Sequence, residues 1–347
     1  MTTQLSRGKK LLGATAAICA GALILAACGG GGGNTTSKSS GGQSKAEPTW
    51  SFGAFTPKGD AGFDYMAQQQ GYYKQQGVKV DFKTFSGSVQ LTQAIISGAL
   101  DSGEVSPASV YDAVAKGAPL KIIGSTLPGL AQNCYAPKSI TSFSQLKGKP
   151  VGVSAPGALP QVIAEAFFVA KGVDPSSMKI VNAGGDAQRM KALYAGRIDL
   201  ACGSPEYVPK LPAGFHVLGA APKLTPDFPR EVFVANTNSL KKKPDAVVKF
   251  MAAQMKGIRY ALDHKNAEVK LAAKKTSRPA SDPSLSYYYD TIKKAGTASP
   301  TMEIPMKKLE WLQNFRLQHG LQKQKVDLNK LTDGSYRANA LKLVNGS

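Results

Sequence analysis

Residues 49–55, Thr-Trp-Ser-Phe-Gly-Ala-Phe, alternate polar and apolar side chains with a period of two, which predicts a half-buried strand. Apolar positions then recur at helical spacing over residues 62–70. Gly71 follows, where a helix C-terminus favours glycine. The alternation of strand and helix continues from there. Strands are expected at 78–82, 103–105, 120–125, 150–154, 179–181 and 199–202. Helices are expected at 88–97, 107–116, 159–171 and 186–195, closed in turn by Gly98, Gly117, Gly172 and Gly196. Pro107 opens the second of these, where a missing N–H removes no helical bond. Repeated strand–helix–strand units predict an α/β fold whose sheets are mostly parallel and flanked by helices. The last third changes character. Residues 245–264, 267–275, 285–294 and 306–319 all carry helical spacing, and these helices are expected to pack on the sheets rather than form a separate bundle.

One stretch recurs. Residues 90–101 read QLTQAIISGALD and residues 188–199 read QRMKALYAGRID, each a helix, a glycine stop and an aspartate entering a strand. A serine-proline turn follows each: Ser106-Pro107-Ala108-Ser109 in the first, Gly203-Ser204-Pro205-Glu206 in the second. Two similarly built halves predict two lobes with a cleft between them.

Ahead of this region, Arg7, Lys9 and Lys10 precede an apolar run at 11–25, too short for a good membrane-spanning helix. The run ends Leu25-Ala26-Ala27-Cys28, followed by Gly29 to Gly33, and resembles a bacterial lipobox. In such signals the cysteine is acylated, with palmitate or a similar chain, and becomes the first residue of the mature chain. An ordinary secretory signal cut after the alanine pair is the other reading. Both place the mature protein outside the cytoplasm, and the lipobox adds a lipid tether to the cell membrane through Cys28. The expected organisation is a signal peptide at 1–27, a lipidated cysteine with a flexible Gly/Ser stalk at 28–48, and ordered structure from about residue 49. No later apolar run reaches membrane length.

The chain carries 43 Lys and Arg against 23 Asp and Glu, a formal charge of +20. The lysines are scattered, and no arginine-rich helix or aromatic RNA-binding motif accompanies them. The charge therefore reads as a solvated surface, and nucleic acid is not an expected partner. Cys134 and Cys202 form one possible pair in an oxidising compartment. Both sit in apolar strand-like segments, and the expectation is two buried free thiols. His216, His264 and His319 are far apart, no Cys/His spacing resembles a metal site, and no cofactor is expected.

Several motifs, taken in order, resemble the solute-binding proteins of ABC importers, and most closely the binders of aliphatic sulfonates, taurine, nitrate and thiamine-pyrimidine precursors. These are Gln70-Gly71-Tyr72-Tyr73-Lys74 with Gly77-Val78-Lys79-Val80, then residues 94–101, Ala115-Lys116-Gly117-Ala118-Pro119-Leu120, residues 146–153 and residues 192–199. The resemblance covers about residues 50–275. It implies the two-lobed type II periplasmic-binding-protein fold, with residues 49–135 and 236–347 in lobe 1, residues 136–235 in lobe 2, and crossings near 134–139 and 233–237. It also implies a monomeric receptor without catalytic residues that delivers cargo to the permease subunits of an importer. Gln75, Gln76 and Ser102-Gly103-Glu104 depart from common family choices, and Glu104 bears on the pocket.

Ligands of open α/β sheets bind at the carboxyl ends of strands, where helix N-termini converge. The turns so placed give the candidate ligand residues Phe55, Thr56, Ser86, Gly87, Ser88, Ser106 and Ser109 in lobe 1, and Ser154, Gly157, Ala158, Ser204 and Glu206 in lobe 2. Small hydroxyl residues and glycine let backbone N–H groups approach an anion. Each serine is equally suited to plain helix capping. Glu206 and Glu104 could accept from a ligand amine or ring N–H; the alternatives are a first-turn acid for Glu206 and a satisfied sheet-edge residue for Glu104. Phe55, Phe85 and Tyr207 are candidate aromatic walls. Few Arg or Lys fall in these turns. The expected ligand is a small organic anion such as an alkanesulfonate or taurine-like compound, with a pyrimidine or other heteroaromatic vitamin precursor as the alternative. The same fold also hosts a fungal thiamine-precursor synthase and a cysteine-dependent desulfinase. Cys202, beside a cleft turn, would be the nucleophile of an enzyme reading.

Overall fold

The computed structural model describes residues 47–346. The expected signal peptide, the lipid site at Cys28 and nearly all of the stalk lie outside the described residues. Ten strands build two sheets. They are β1 (Thr49–Phe55), β2 (Lys79–Phe85), β3 (Ser102–Val105), β4 (Leu120–Gly124), β5 (Asn133–Pro137), β6 (Pro150–Val153), β7 (Lys179–Asn182), β8 (Leu200–Gly203), β9 (Phe215–Ala220) and β10 (Val232–Asn236).

The first sheet has the order β2-β1-β3-β10-β4 and the second β7-β6-β8-β5-β9. In each, one strand runs against the other four: β10 is antiparallel to β3 and β4, and β5 is antiparallel to β8 and β9. The remaining pairs, β1 with β2 and β3, and β6 with β7 and β8, are parallel. The repeat seen in the sequence thus builds corresponding helix–strand units, one in each sheet. Sheet membership puts the two changes of sheet within residues 125–132 and 221–231, ahead of the expected crossings. The reason is that Cys134 and Phe233 belong to apolar runs that serve as the reversed inner strands.

The first sheet packs its aromatic face under helices Ala61–Gln69 and Pro244–Asp263. Phe52 lies 5.1 Å from Phe250 and 5.7 Å from Phe233, ring centre to ring centre, distances at which tilted aromatic pairs attract. Trp50 is fully buried, and its indole N–H donates to Ser102 Oγ at 2.7 Å, so the ring carries no unsatisfied donor. Gly257 lets the two helices meet. A Cβ there would stand 2.5 Å from the Ala67 backbone nitrogen. In the second sheet Cys134 and Cys202 face each other across β5 and β8 and form a disulfide, with Cα atoms 3.9 Å apart. The expectation of two free thiols is therefore corrected. Burial of both residues was foreseen, but two residues 68 positions apart become neighbours only through strand pairing. Among the described residues no helix is long and apolar enough to cross a membrane, and no cluster of His, Cys, Asp and Glu is arranged to hold a metal ion.

Candidate functional site

A cavity of about 640 Å³ lies between turns from both sheets. From the first-sheet side come the segment after β1, with Phe55, Thr56 and Lys58, and the segment after β2, with Ser86, Gly87 and Ser88. From the second come Ser154 after β6, Gly185 and Asp186 after β7, and Cys202, Glu206 and Tyr207 at and after the end of β8. Gln132 and Glu231, on the two segments where the chain changes sheet, complete its wall. Every one of these strands delivers its carboxyl end to the cavity.

Of the expected ligand residues, Phe55, Thr56, Ser86, Gly87, Ser88, Ser154 and Glu206 line this cavity, as does Tyr207. Ser106, Ser109, Gly157, Ala158 and Ser204 do not. Ser204 is buried, and its Oγ accepts from Glu206 N at 3.3 Å, so it is a plain helix cap. Ser106 lies behind Ser88, whose Oγ accepts its N–H at 3.4 Å. Ala158 is buried at the start of the Leu159–Ala170 helix. Ser109 and Gly157 line a separate groove of about 500 Å³. Phe85 packs against the second hydrophobic cluster instead of the cavity. Glu104 is also off the wall. It sits on inner strand β3, not at a sheet edge, and its oxygens accept from Thr126 N at 2.9 Å and Thr126 Oγ at 2.5 Å.

The charged groups of the wall are what the sequence did not expose. Lys58, Asp186, Arg189, Lys191, Glu231 and Arg278 line the cavity together with Glu206. Lys58 Nζ lies 3.0 Å from Asp186 Oδ2, and Arg189 pairs with Asp186 from the following turn of the same helix. Burial alone would raise the Asp186 carboxyl; Lys58 and Arg189 outweigh it and hold the group well below the usual carboxylate range. Arg278 Nη2 lies 2.8 Å from Glu206 Oε2, which also accepts the Gly59 N–H at 2.9 Å. Burial still pushes the Glu206 carboxyl up despite Arg278. Glu231 has a weaker contact, Arg230 Nε at 3.5 Å, and Arg230 is shared with Asp60 at 2.6 Å. Burial raises Glu231 against the pull of Arg230 and Lys58. Thus three of the four cations on the wall are already held by carboxylates, while Lys191 has no such partner among the described residues. Gln132 Oε1 accepts from Ala131 N at 3.0 Å, which leaves its amide N–H donors without a protein partner among those residues. These groups come from segments scattered between residues 58 and 278, and no spacing in the chain announces them.

Two α/β sheets with strand ends meeting at one cleft define the architecture of the periplasmic binding proteins. The alkanesulfonate-binding protein SsuA from Xanthomonas axonopodis pv. citri superposes with a TM-score of 0.69 at 16% identity, over 83% of this chain and 99% of that one. The family is given by sequence: residues 59–268 match the NMT1/THI5-like family, and the chain belongs to it. The putative binding protein YtlA of Bacillus subtilis is 24% identical over 286 residues, 78% of this chain and 83% of YtlA. The 4-amino-5-hydroxymethyl-2-methylpyrimidine phosphate synthase of Legionella pneumophila is 30% identical over 140 residues, 40% of this chain and 43% of that protein.

Proposed function

We propose that this protein is the extracytoplasmic solute-binding component of an ABC importer, tethered through lipid on Cys28, and that it hands its cargo to the permease. The observation that carries this reading is the cavity itself, walled by strand ends of both sheets and by the two segments that join them. A solute touching both walls stabilises their approach, because those contacts exist together only when the cleft is closed. The division into lobe 1 and lobe 2 is part of this proposal. The role is binding and release, without catalysis. Cys202 is held in the disulfide and offers no thiol nucleophile, and the three histidines lie off the cavity wall.

For the cargo, the wall favours a small heteroaromatic solute with N–H donors, of the aminopyrimidine type, over a sulfonate or similar anion. Three of the four wall cations, Lys58, Arg189 and Arg278, are engaged by carboxylates, so an anion would compete with partners already in place at all of them but Lys191. Phe55 and Tyr207 offer aromatic faces, Glu231 an incompletely engaged acceptor, and Gln132 a donor. Relatives named as pyrimidine phosphate synthases agree with this choice, although the chain spans less than half of the Legionella one. A thermal-shift panel of aminopyrimidines, alkanesulfonates, nitrate and amino acids tests both levels. A ligand at about 100 times its Kd adds about 2.7 kcal/mol of stability. Aminopyrimidines are expected to raise Tm. A shift with sulfonates or nitrate alone would overturn the choice of cargo, and no shift across the panel would count against solute binding of these classes.

A further inference from the structure

Part of the cleft wall is joined by charge across the two sheets, and the approach of Gly87 to Ser154 is not. Along this seam, Lys58 and Gly59 after β1, and Arg278 and Asp282 ahead of the Pro283–Ala295 helix, belong to the side of the molecule packed around the first sheet. They meet Asp186, Glu206 and Lys210, which follow β7 and β8 of the second. The bonds are Lys58–Asp186 at 3.0 Å, Gly59 N–Glu206 at 2.9 Å, Arg278–Glu206 at 2.8 Å and Lys210–Asp282 at 2.7 Å. Each carboxylate side chain in this seam is buried or nearly so, at 11%, 8% and 2% exposure, where ion pairs are weakly screened. Elsewhere on the cleft wall, Gly87 stands opposite Ser154. A Cβ on Gly87 would lie 3.9 Å from the Ser154 Cβ, yet among the described residues no hydrogen bond or ion pair joins the two segments.

We propose that this seam is a built-in latch: Glu206, Asp186 and Asp282 hold the two sheets together along one edge of the cleft and set the fraction of time the Gly87–Ser154 mouth is shut. Glu206 then acts as a closure residue, because its Oε2 is spent on Gly59 and Arg278. The latch does not depend on which solute is bound, so its test is separate from the ligand panel. It places the energetic control of opening on residues other than Gly87 and Ser154. Removing one latch carboxylate opens the mouth without removing any of the serines that line it.

The mouth geometry supplies the probe. A Cβ separation of 3.9 Å falls within the range of natural disulfides, about 3.5–4.5 Å. In a full chain carrying Gly87→Cys and Ser154→Cys, the rate of forming the 87–154 disulfide in a glutathione buffer reports how often the mouth is shut. Peptide mapping by mass spectrometry separates this link from Cys134–Cys202. Adding Glu206→Gln with Lys210→Gln is expected to slow the link at least threefold. Lys265→Gln, which breaks the exposed Lys265–Asp290 pair and none of the four seam bonds, should leave the rate unchanged. If the double variant does not fold, Lys210→Gln alone, altering a half-exposed lysine, carries the test. A difference below threefold in a variant that keeps its cooperative thermal transition, or an equal slowing by Lys265→Gln, overturns the latch.

Discussion

Glu104 carries a pH dependence that is visible at a single carboxyl group. Burial, followed by the nearby Glu231 carboxylate, pushes it from an ordinary 4.5 up to about 7, against the two bonds it accepts from Thr126. Between those two values the folded chain holds a proton that the unfolded chain has released. The stability tied to this group is therefore complete below pH about 4.5 and is lost as the pH rises through about 7. Glu104→Gln keeps the shape and removes the titration. It is expected to raise stability at pH 8 by on the order of 1–3 kcal/mol and to flatten the slope between pH 5 and 7 in urea unfolding. An unchanged slope would mean that the group titrates normally. Asp186 works in the opposite sense: its depressed pKa contributes stability above the usual carboxylate range that is lost in acid. Neither behaviour was legible in the chain, because Glu104 and Glu231 are separated by more than a hundred residues and meet only where the crossing segments adjoin β3. Ser204, expected among the ligand residues, is instead a cap, a role open to any serine before a helix because capping is a local interaction with the next two residues.

The elements themselves were largely written in local sequence. The helices expected at 88–97, 159–171 and 186–195 are observed at Ser88–Ile96, Leu159–Ala170 and Asp186–Tyr194, and β1 spans the expected residues. Periodicity and a closing glycine are short-range signals, so they survive without knowledge of the fold. The reversed strands β5 and β10 were read as connecting segments, because a short apolar run takes its role from its neighbours. Helix packing has its own sensitive point. At Gly257 a methyl group would lie 2.5 Å from the Ala67 nitrogen and 2.9 Å from its Cα, both backbone atoms that cannot swing aside. Gly257→Ala, although helix propensity favours it by about 1 kcal/mol, is expected to cost roughly 1–3 kcal/mol net through overpacking. A rise in the denaturation midpoint would show that the two helices separate easily.

At the scale of the molecule, the second sheet is stapled by Cys134–Cys202 beneath the cavity wall. Closing a loop of 68 positions is expected to contribute about 4 kcal/mol on the loop-entropy scale. Cys134→Ala with Cys202→Ala should lower Tm by several degrees and leave the first sheet folded. In a background carrying Trp311→Phe, which leaves Trp50 as the one tryptophan of the chain, the fluorescence of Trp50, buried in that sheet, reports its integrity separately from Tm. A double variant with the native Tm would show that strand pairing alone fixes β5 against β8. Loss of the Trp50 signal together with β5–β8 would show that the two sheets unfold as one unit.

The chain by itself determined the α/β class, the order of most strands and helices, the internal repeat and some of the turns that approach the cleft, those of Phe55-Thr56, residues 86–88, Ser154 and Glu206. These follow from hydrophobic period, capping and glycine stops, all of which act over a few residues. Tertiary structure alone decided the disulfide partner, the inner position of β5 and β10, and the lining of the cleft by Lys58, Asp186, Arg189, Gln132, Glu231 and Arg278. Each of those is a meeting of distant segments. Its energy comes from desolvation and charge pairing in a space that exists only after both sheets have formed.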